Sequence, residues 1–258
     1  MEEYLPISCK CITYGRVPDL EEMLESFLRQ EYLGKREFLI VNDYPLQTLH
    51  FDHPDVRIIN CKETFPTIGD KENFAVENCK YDTIAVCDDD DQMLPNHLQN
   101  INEQFSGYDL LHWHTGIASV NYQIRAIRII GNAGIVYNKQ IWEKVGKHRK
   151  ENAGYDMSFV VAIQKAGGKI KRAVMPREKA SFIYNWGNTC VYHMSGEGAD
   201  GNRADNVLVR HGRHIENLRK QGKIQTGDIE LKPHWNRDYP QMLKDYLAIL
   251  PKNQAVNI

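Results

Sequence analysis

The sequence predicts an α/β fold: a mostly parallel sheet flanked by helices and followed by a helical C-terminal extension. In the first half of the chain, short apolar runs alternate with amphipathic segments, which is typical of strand–helix–strand units. Polar residues directly follow several of these runs, and ligands of doubly wound sheets bind at the carboxyl ends of the strands. The length of 258 residues fits one large domain with an extension.

The first half of the chain is expected to alternate strands and helices. A strand over residues 7–13 ends at the turn signal Tyr14-Gly15-Arg16, and a helix over residues 20–28 follows, with Asp19 as its expected N-cap. Residues 38–41 form a continuous apolar run, as expected for a strand that is buried on both faces. The remaining elements of this half are expected at 56–60 (strand), 70–78 (helix) and 83–87 (strand).

The second half mixes the two kinds of element. Strands are expected at 109–114, 124–130, 180–184 and 190–193, and helices at 139–145 and 156–166. From residue 202 onward the chain is polar and helix-prone, with Pro233, Pro240 and Pro251 as interruptions. We therefore expect a main domain over residues 1–200 and a helical extension over residues 201–258.

The composition excludes several classes of protein. The hydrophobic fraction of 42% and the charged fraction of 26% are those of a globular protein, and the net charge of −2 excludes a globally basic nucleic-acid-binding protein. The sequence has no apolar window of about 18 residues, and its start lacks the basic and apolar pattern of a signal peptide. Six cysteines occur without a CxxC pair. We expect reduced, buried thiols and a cytoplasmic location.

An acidic run is the sharpest chemical signal in the sequence. Asp88-Asp89-Asp90-Asp91 directly follows the apolar strand expected at 83–87. Adjacent carboxylates repel one another unless a cation neutralises them. Oxygen ligands suit hard ions such as Mg²⁺ or Mn²⁺, which proteins often share with substrate phosphates. A metal–phosphate site and a solvated acidic turn are the two interpretations of this run.

Four motifs taken together resemble those of a known enzyme family. They are Cys11-Ile12-Thr13-Tyr14-Gly15-Arg16, Ile40-Val41-Asn42-Asp43, Lys71-Glu72-Asn73, and the acidic run followed by Pro95. Their order and spacing resemble GT-A glycosyltransferases, in particular family 2, the inverting enzymes that use nucleotide sugars. The resemblance covers roughly residues 5–195. It implies a GT-A (Rossmann-like) catalytic domain over residues 1–200, with a nucleotide-sugar half (1–95) and an acceptor half (96–200).

The resemblance implies a role for each residue on the nucleotide side. Thr13, Tyr14 and Arg16 match the loop after the first strand, which contacts the nucleotide. Asp43 matches the acid that pairs with the base, usually uracil. Asn42 stands where the family often has a second acid, so this chain departs from the family pattern there.

On the diphosphate side, the resemblance implies contacts from a helix start and from the acidic run. Lys71 and Asn73 match that helix start, where a positive charge and a helix N-terminus also suit a phosphate. Asp90 would be the direct metal ligand, and His193 a metal or phosphate ligand from the segment that starts at Trp186. Asp88 and Asp90 match the DxD pair of the family, with Asp88 towards the ribose. Asp89 is expected to contact the donor as well, and Asp91 to assist.

The catalytic base implied by the resemblance is Asp156. Gly154-Tyr155-Asp156-Met157 matches the position of an acidic pair whose second carboxylate deprotonates the acceptor. Tyr155 stands where the family often has Glu, which leaves Asp156 as the candidate base there. The alternative interpretation makes Asp156 the N-cap of the following helix.

The implied activity is sugar transfer from a nucleotide diphosphate donor, expected to be a UDP-sugar, to an acceptor hydroxyl with Mn²⁺ or Mg²⁺. A nucleotidyltransferase on a similar sheet is an alternative, although Tyr14-Gly15-Arg16 lacks the extra glycines of its first loop. A catalytically silent sugar-nucleotide or nucleic-acid binding module is another, favoured by Tyr155 and opposed by the intact acidic run. The sequence contains neither the GxGxxG of a Rossmann dehydrogenase after the first strand nor a P-loop motif.

The acceptor is the least determined part of the prediction. Polysaccharide or glycolipid is the common acceptor class of the family, and a modified DNA base would suit the basic segment 207–223, which sets five basic residues against Glu216. A solvated helix face is the alternative for that segment. His112 and His114 share a strand face and could line an acceptor cleft or a wet sheet edge. The aromatic residues that could stack on a ligand or pack the extension are Trp235, Tyr239 and Tyr246.

Overall fold

A computed structural model of the chain describes residues 4–113, 116–120, 123–127, 134–152, 154–174, 177–186 and 204–249. The first elements are Ile7–Thr13 (β1), Val17–Leu28 (α1), Arg36–Asn42 (β2), Gln47–His50 (β3), Val56–Asn60 (β4), Ile68–Asn78 (α2), Thr83–Val86 (β5), Gln92–Met93 (β6) and His97–Phe105 (α3). The later elements are Leu110–Trp113 (β7), Gly116–Val120 (β8), Gln123–Ile127 (β9), Val136–Asn138 (β10), Lys139–Lys144 (α4), Tyr155–Lys165 (α5), Ile170–Ala173 (β11), Phe182–Trp186 (β12), Ala204–Lys220 (α6), Gly227–Glu230 (β13) and Tyr239–Ile249 (α7).

The central sheet is mostly parallel. Within the described residues it has seven strands in the order β11-β7-β10-β5-β1-β2-β4. β1 runs parallel to its neighbours β2 and β5, β4 runs parallel to β2, and β10 runs antiparallel to β5 and β7. Helices pack on this sheet, so the predicted α/β class with a mostly parallel sheet is confirmed.

Alternating side chains of β2 enter two separate cores. Phe38 and Ile40 belong to the core that contains the apolar face of α1. Leu39 and Val41 belong to the core that contains the apolar face of α2. All four side chains are fully buried. The continuous apolar run at 38–41 is thus explained by helices that cover both faces of the sheet.

The C-terminal extension packs onto the rest of the chain at two places. Within the described residues, a second sheet has the order β6-β12-β8-β9, and Tyr239 and Leu243 of α7 share a core with its residues Ile117 and Ile183. The strand β13 pairs in parallel with β3, which brings the extension back to the first half. The sequence predicted a helical extension and missed this strand; the division of the chain at residue 200 stays a prediction.

The start of α1 differs from the prediction. The helix begins at Val17, and Arg16 occupies the N-cap position without a side-chain capping bond. Pro18 lies in the first turn, where its fixed φ suits a helix start. Asp19 is therefore a residue of the first helical turn, and its predicted role as N-cap is wrong.

The described cysteines carry unpaired thiols, and most of them are buried: Cys9, Cys11, Cys79 and Cys87. Burial raises the pKa of Cys79 to about 12 and that of Cys11 well above its usual range. These two thiols therefore stay protonated at neutral pH. No helix in the described part of the chain is both long and apolar enough to cross a lipid bilayer.

Candidate active site

The site lies where three neighbouring strands end. β2, β1 and β5 are adjacent and parallel, so their carboxyl ends meet at one edge of the sheet. Thr13 and Asp43 end or follow the first two of these strands, and the acidic run Asp88-Asp89-Asp90-Asp91 follows the third. The structure therefore brings these predicted site residues to a common edge.

Arg16 holds two carboxylates of the acidic run. Its Nη1 donates to Oδ2 of Asp90 at 2.9 Å and its Nε donates to Oδ2 of Asp89 at 3.1 Å, while Nη2 contacts Oδ1 of Asp89. The two-point contact with Asp89 is the planar fork geometry that guanidinium and carboxylate groups favour. Asp89, Asp90 and Asp91 are all buried. The interpretation of the run as a solvated acidic turn is therefore wrong.

The carboxylates of this run strongly affect one another. Burial raises the pKa of Asp88 to about 7, and the charge of Asp90 adds to this rise. Burial, followed by the charges of Asp90 and Asp88, raises the pKa of Asp91 well above its usual range. A bound cation or the guanidinium of Arg16 offsets such repulsion.

Asn185, which lies on β12 of the second sheet, holds the backbone and one carboxylate of the acidic run in place. Its backbone N–H donates to Oδ1 of Asp91 at 2.9 Å, and its side-chain amide donates to the carbonyl of Asp90 at 2.7 Å and to Oε1 of Gln92 at 2.6 Å. Sequence reasoning missed Asn185, because no local pattern connects it to a loop more than ninety residues earlier.

Asp19 is a further carboxylate near Arg16, outside the acidic run. Burial raises the pKa of Asp19 to about 8, the charges of Asp89 and Asp90 raise it further, and the guanidinium of Arg16 opposes these effects. The spacing of three residues between Arg16 and Asp19 on a helix start is the sequence signal that could have identified this neighbour.

The donor atoms of the acidic loop fit a hard divalent cation. In the described ranges, no three His, Cys, Asp or Glu side chains converge into a ready-made metal site. Proteins commonly hold Mg²⁺ through one or two carboxylates, with substrate phosphates and water as the other ligands. Oδ2 of Asp91 is buried and has no hydrogen-bond partner among the described residues, so an oxygen ligand is left over beside Asp90. His193 lies outside the described residues.

Asp43 and Lys71 form a buried ion pair between two strand ends. Nζ of Lys71 contacts Oδ1 of Asp43 and donates to the carbonyl of Thr13 at 2.7 Å. Oδ2 of Asp43 accepts the backbone N–H of Phe65 at 3.0 Å. Both carboxylate oxygens of Asp43 thus already have a protein partner, and contact of Asp43 with a base stays a prediction.

Asn42 has a structural role beside this pair. Its side-chain amide donates to the carbonyl of Gln47 and to Oδ1 of Asn60, each at 3.1 Å, and its Oδ1 accepts the backbone N–H of Tyr44 at 3.1 Å. A carboxylate could not donate these hydrogen bonds. An amide at position 42 therefore fixes the loop between β2 and β3.

The first backbone N–H groups of α2 are hydrogen-bonded to other groups of the protein. The backbone N–H of Ile68 donates to Oδ1 of Asn152 at 3.0 Å, that of Gly69 to the carbonyl of Glu151 at 3.1 Å, and that of Asp70 to Oγ1 of Thr67 at 3.0 Å. These are the groups that a helix N-terminus offers to an anion. These N–H groups therefore already have protein partners, and contact of this helix start with a diphosphate through Lys71 stays a prediction.

Asn73 holds the segment that precedes α5. Its side-chain amide donates to the carbonyl of His148 at 2.9 Å, and its Oδ1 accepts the backbone N–H of His148 at 2.9 Å and Nε1 of Trp142 at 3.2 Å. These three bonds explain the burial of Asn73 through the local fold. A contact of Asn73 with a diphosphate stays a prediction.

Asp156 lies in the first turn of α5. Gly154, with a φ of 73°, is the N-cap, so the interpretation of Asp156 as the N-cap is wrong. The hydroxyl of Tyr155 lies 3.5 Å from Oε1 of Glu72, whose other oxygen contacts Nζ of Lys10. Burial raises the pKa of Tyr155 well above its usual range, and the carboxylates of Glu72, Asp88 and Asp156 add to this rise. Tyr155 thus lies close to both the acidic run and the candidate base.

Comparison with known proteins identifies the family. Residues 10–165, more than half of the chain, match the sequence model of the family described as Glycosyl transferase family 2. The chain belongs to glycosyl transferase family 2. The resemblance inferred from the four motifs is confirmed.

This family 2 chain is similar in sequence to one curated protein and in fold to solved structures. It is 32% identical over 120 residues to the uncharacterized glycosyltransferase YwdF of Bacillus subtilis (strain 168), over 45% of this chain and 44% of that protein. S. aureus TarS 1-349 in complex with UDP-GlcNAc has a TM-score of 0.57 at 15% identity, over 74% of this chain and 61% of that one. The mannosyltransferase PcManGT from Pyrobaculum calidifontis, in complex with GDP-Man and Mn²⁺, has a TM-score of 0.54 at 14% identity, over 70% and 57%.

These similarities differ in what they show. The TM-scores show that the two solved structures share the fold of this chain. Because their sequence identity to it is low, they show nothing beyond the fold. The family 2 chain matches less than half of the length of YwdF and less than two thirds of each solved chain.

The remaining predicted residues of this family 2 chain are placed as follows. Trp235 donates to Oγ of Ser26 at 2.9 Å and the hydroxyl of Tyr239 donates to Oε2 of Glu22 at 2.6 Å, so both side chains pack the extension onto α1. His112 lies on β7 and is partly buried. His114, the segment 187–203 and the side chain of residue 186 lie outside the described residues.

Proposed function

We propose that this chain transfers a sugar from a nucleotide diphosphate donor, a UDP-sugar, to an acceptor hydroxyl by inverting displacement with a divalent cation. The observation that carries the proposal is the buried acidic run of a family 2 chain at a strand-end edge, with Arg16 on two of its carboxylates. Several buried carboxylates with raised pKa values are unfavourable for stability, and such clusters are typical of functional sites.

Structural neighbours support the choice of donor and cation. TarS was solved with UDP-GlcNAc and PcManGT with GDP-Man and Mn²⁺. We take a UDP-sugar as the donor to test first and Mn²⁺ as the cation, to be held by Asp90 and His193. When bound, that cation supplies positive charge against the departing diphosphate.

The chain's own residues would bind the donor and offset its charge. Arg16 and Lys71 place two positive side chains at the same sheet edge, where they favour the developing negative charge of the diphosphate. Thr13, Tyr14 and Asp43 are assigned to the nucleoside, because they line the ends of β1 and β2. Asp88 is assigned to the ribose side of the donor, and Asp89, which is fully buried and bonded to Arg16 through both oxygens, is assigned to holding Arg16 in the site.

The transfer itself is a single displacement. The acceptor oxygen forms a bond to the anomeric carbon on one face of the sugar, while the bond from that carbon to the diphosphate oxygen breaks on the other face. The acceptor proton moves to the carboxylate of Asp156, and the nucleoside diphosphate leaves with the bonding electron pair. A positioned base of this kind contributes about 10²–10⁴-fold in rate.

The acceptor is proposed to be a polysaccharide or glycolipid hydroxyl. The basic segment 207–223 offers a weaker case for a nucleic acid, because Arg219 and Lys220 both lie within ion-pair distance of Glu216. Two of its five basic side chains are thus engaged with a carboxylate of the same helix. A modified DNA base is retained as the second acceptor class to test.

The proposal is tested by incubating the chain with UDP-sugars and Mn²⁺ and measuring UDP release with and without acceptor. We expect slow UDP release that EDTA abolishes, together with loss of donor binding. Asp90→Asn should remove the Mn²⁺ dependence of binding. Asp82→Asn is the matched control, since Asp82 is an exposed carboxylate at the opposite end of β5.

Two results would contradict the proposal in different ways. Tight binding of UDP-sugars without any release of UDP would identify a catalytically silent binding module. Release of pyrophosphate from nucleoside triphosphates would instead identify a nucleotidyltransferase.

A further inference from the structure

The helix α6 of the C-terminal extension packs directly on the loop after β1. Gly15 has a φ of +74°, and a Cβ added there would lie 3.2 Å from Cγ2 of Ile215 and 3.6 Å from Cδ1 of Tyr44. Ile215 is only 2% exposed. The backbone of the nucleotide-side loop, the ring of Tyr44 and α6 are therefore in contact, and glycine at position 15 allows that close approach.

The extension is also anchored beside the loop after β2. β13 pairs with β3, the strand that follows Tyr44 in the chain. The side-chain amide of Gln47 donates to the carbonyl of Gln225 at 2.8 Å, and the backbone N–H of Gly227 donates to the carbonyl of Leu46 at 2.8 Å. Backbone pairing on this scale gives α6 a fixed position relative to the strand ends.

Two tyrosines face α6 at this place. The rings of Tyr14 and Tyr44 meet edge to face with centroids 4.9 Å apart. Tyr44 is 4% exposed, and its hydroxyl has no hydrogen-bond partner within the described residues. A buried hydroxyl without a hydrogen-bond partner lowers the stability of the folded protein. In native proteins such a hydroxyl commonly bonds to a ligand or an ordered water molecule.

A carboxylate on α6 lies near both hydroxyls. Oε2 and Oε1 of Glu216 accept bonds from Nε and Nη2 of Arg219 at 2.7 Å and 2.6 Å. This pairing lowers the pKa of Glu216, which is therefore ionised at neutral pH. Burial raises the pKa of Tyr14, a hydrogen bond with Thr64 opposes this, and the charges of Asp43 and Glu216 raise it further.

The charges of Glu216 and Arg219 also affect the pKa of Tyr44. Burial raises the pKa of Tyr44, Tyr14 and Glu216 add to the rise, and Arg219 opposes it. The unpartnered hydroxyl of Tyr44 is thus within electrostatic range of Glu216 and Arg219, next to the place where Ile215 of the same helix meets the loop at Gly15. The polar side-chain atoms of Asn42 and Asp43 have partners inside the main domain, whereas those of Glu216 are hydrogen-bonded only to Arg219 of the same helix among the contacts described.

We infer that the C-terminal extension completes the donor site and reads the nucleobase. This inference rests on the proposed function. The carboxylate of Glu216, oriented by Arg219, accepts the ring N–H of the base, and the hydroxyl of Tyr44 donates to the adjacent ring carbonyl. Uracil, thymine and guanine carry such an N–H beside a carbonyl, whereas cytosine and adenine present a ring acceptor at that position.

The inference is tested by calorimetric titration of UDP and CDP in the presence of Mn²⁺. The wild type is expected to favour UDP. Glu216→Gln should weaken UDP binding about tenfold, the usual scale for one charge-assisted hydrogen bond, and should weaken CDP binding much less. Glu230→Gln, an exposed site with the same change of charge on the extension, is the control and should leave both affinities unchanged.

A second variant separates binding from folding. Tyr44→Phe removes a hydroxyl that has no partner in the described residues, so the melting temperature of the free protein should hold or rise. The same change should weaken UDP binding several-fold. If Tyr44 only supported the fold, Tyr44→Phe would lower UDP affinity only by lowering stability. Weaker UDP binding at an unchanged melting temperature therefore indicates a contact with the nucleotide.

Each outcome separates this inference from the proposed function. If Glu216→Gln and Tyr44→Phe bind UDP and CDP with the wild-type ratio, the inference is wrong and the proposed function stands. An equal loss of both nucleotides in Glu216→Gln also overturns it, since the helix would then only support the loop. A wild type that binds no nucleoside diphosphate overturns the proposed function and this inference together.

Discussion

The guanidinium of Arg16 lies 2.9 Å from the carboxylate of Asp90 and also engages the fully buried Asp89. Arg16 is thus a positive side chain that pairs directly with the acidic run in the protein itself. Because Asp90 is also the proposed ligand of a divalent cation, Arg16 and the cation act on the same carboxylate. The free protein is expected to depend on Arg16 more than the cation-bound protein does.

Arg16→Gln is expected to destabilise the protein without added metal by about 2–4 kcal/mol, because it leaves buried carboxylates without their partner. The stabilisation produced by Mn²⁺ should be larger in this variant than in the wild type. Thermal unfolding with and without Mn²⁺ measures both effects. Arg172→Gln, at an exposed arginine of β11, is the control. An unchanged response to Mn²⁺ in Arg16→Gln would show that the two cations act on different carboxylates.

Lys71 and Asp43 provide a second test of a buried charge pair. Lys71→Met removes the cation and leaves the buried Asp43 carboxylate uncompensated, which should cost about 3–5 kcal/mol of unfolding free energy. The double variant Lys71→Met/Asp43→Asn should recover most of that stability, because the charge that lacks a partner is gone. Urea denaturation measures the three free energies.

Donor binding distinguishes the structural part of this pair from its proposed role. The double variant should stay weak for UDP-sugars although its stability has returned. Recovery of donor affinity together with stability would mean that Lys71 and Asp43 only maintain the fold.

Most of the parallel half was predictable from sequence, because its signals are local. The strands at 7–13 and 56–60 have the predicted bounds, and the apolar run at 38–41 lies in a strand buried on both faces. The helix His97–Phe105 was missed, because polar residues interrupt its apolar spacing and one of its buried positions is His97. β10 has three residues and is defined by its partners rather than by its own sequence.

The sequence predicted which residues lie at the strand ends but not which of them bond to one another. The sequence placed the acidic run at a strand end, yet it gave no sign that Arg16, 73 residues away, engages Asp89. The bond between Asn185 and Asp91 spans 94 residues in the same way. The capping of α2 by the segment at 151–152 was equally hidden, because its residues lie more than eighty positions from the helix start.

His97 should make the protein sensitive to acid. Burial lowers the pKa of His97 to about 3, whereas the unfolded chain binds a proton at about 6.5. Between these two values the unfolded state gains a proton that the folded state does not, so the free energy of unfolding falls as pH drops. His97 alone contributes a slope of up to about 1.4 kcal/mol per pH unit.

The test compares pH dependences rather than absolute stabilities. His97→Gln should unfold with a shallower loss of stability between pH 6.5 and pH 4 than the wild type. Parallel curves for His97→Gln and the wild type would show that His97 is protonated in the folded state.

Asp156→Asn tests the proposed base. The change keeps the size of the side chain, and Gly154 rather than Asp156 caps α5, so the helix should remain folded. Turnover should fall about 10²–10⁴-fold because the acceptor proton loses its carboxylate. The dissociation constant for the UDP-sugar should stay close to the wild-type value, since the carboxylate is assigned to the acceptor.

The pH profile sharpens this assignment. In the wild type, turnover should fall at low pH as the base becomes protonated, and Asp156→Asn should lose that acidic limb along with most of its activity. Glu151→Gln, an exposed carboxylate just before α5, should keep both turnover and profile. Wild-type turnover in Asp156→Asn would rule out this carboxylate as the base.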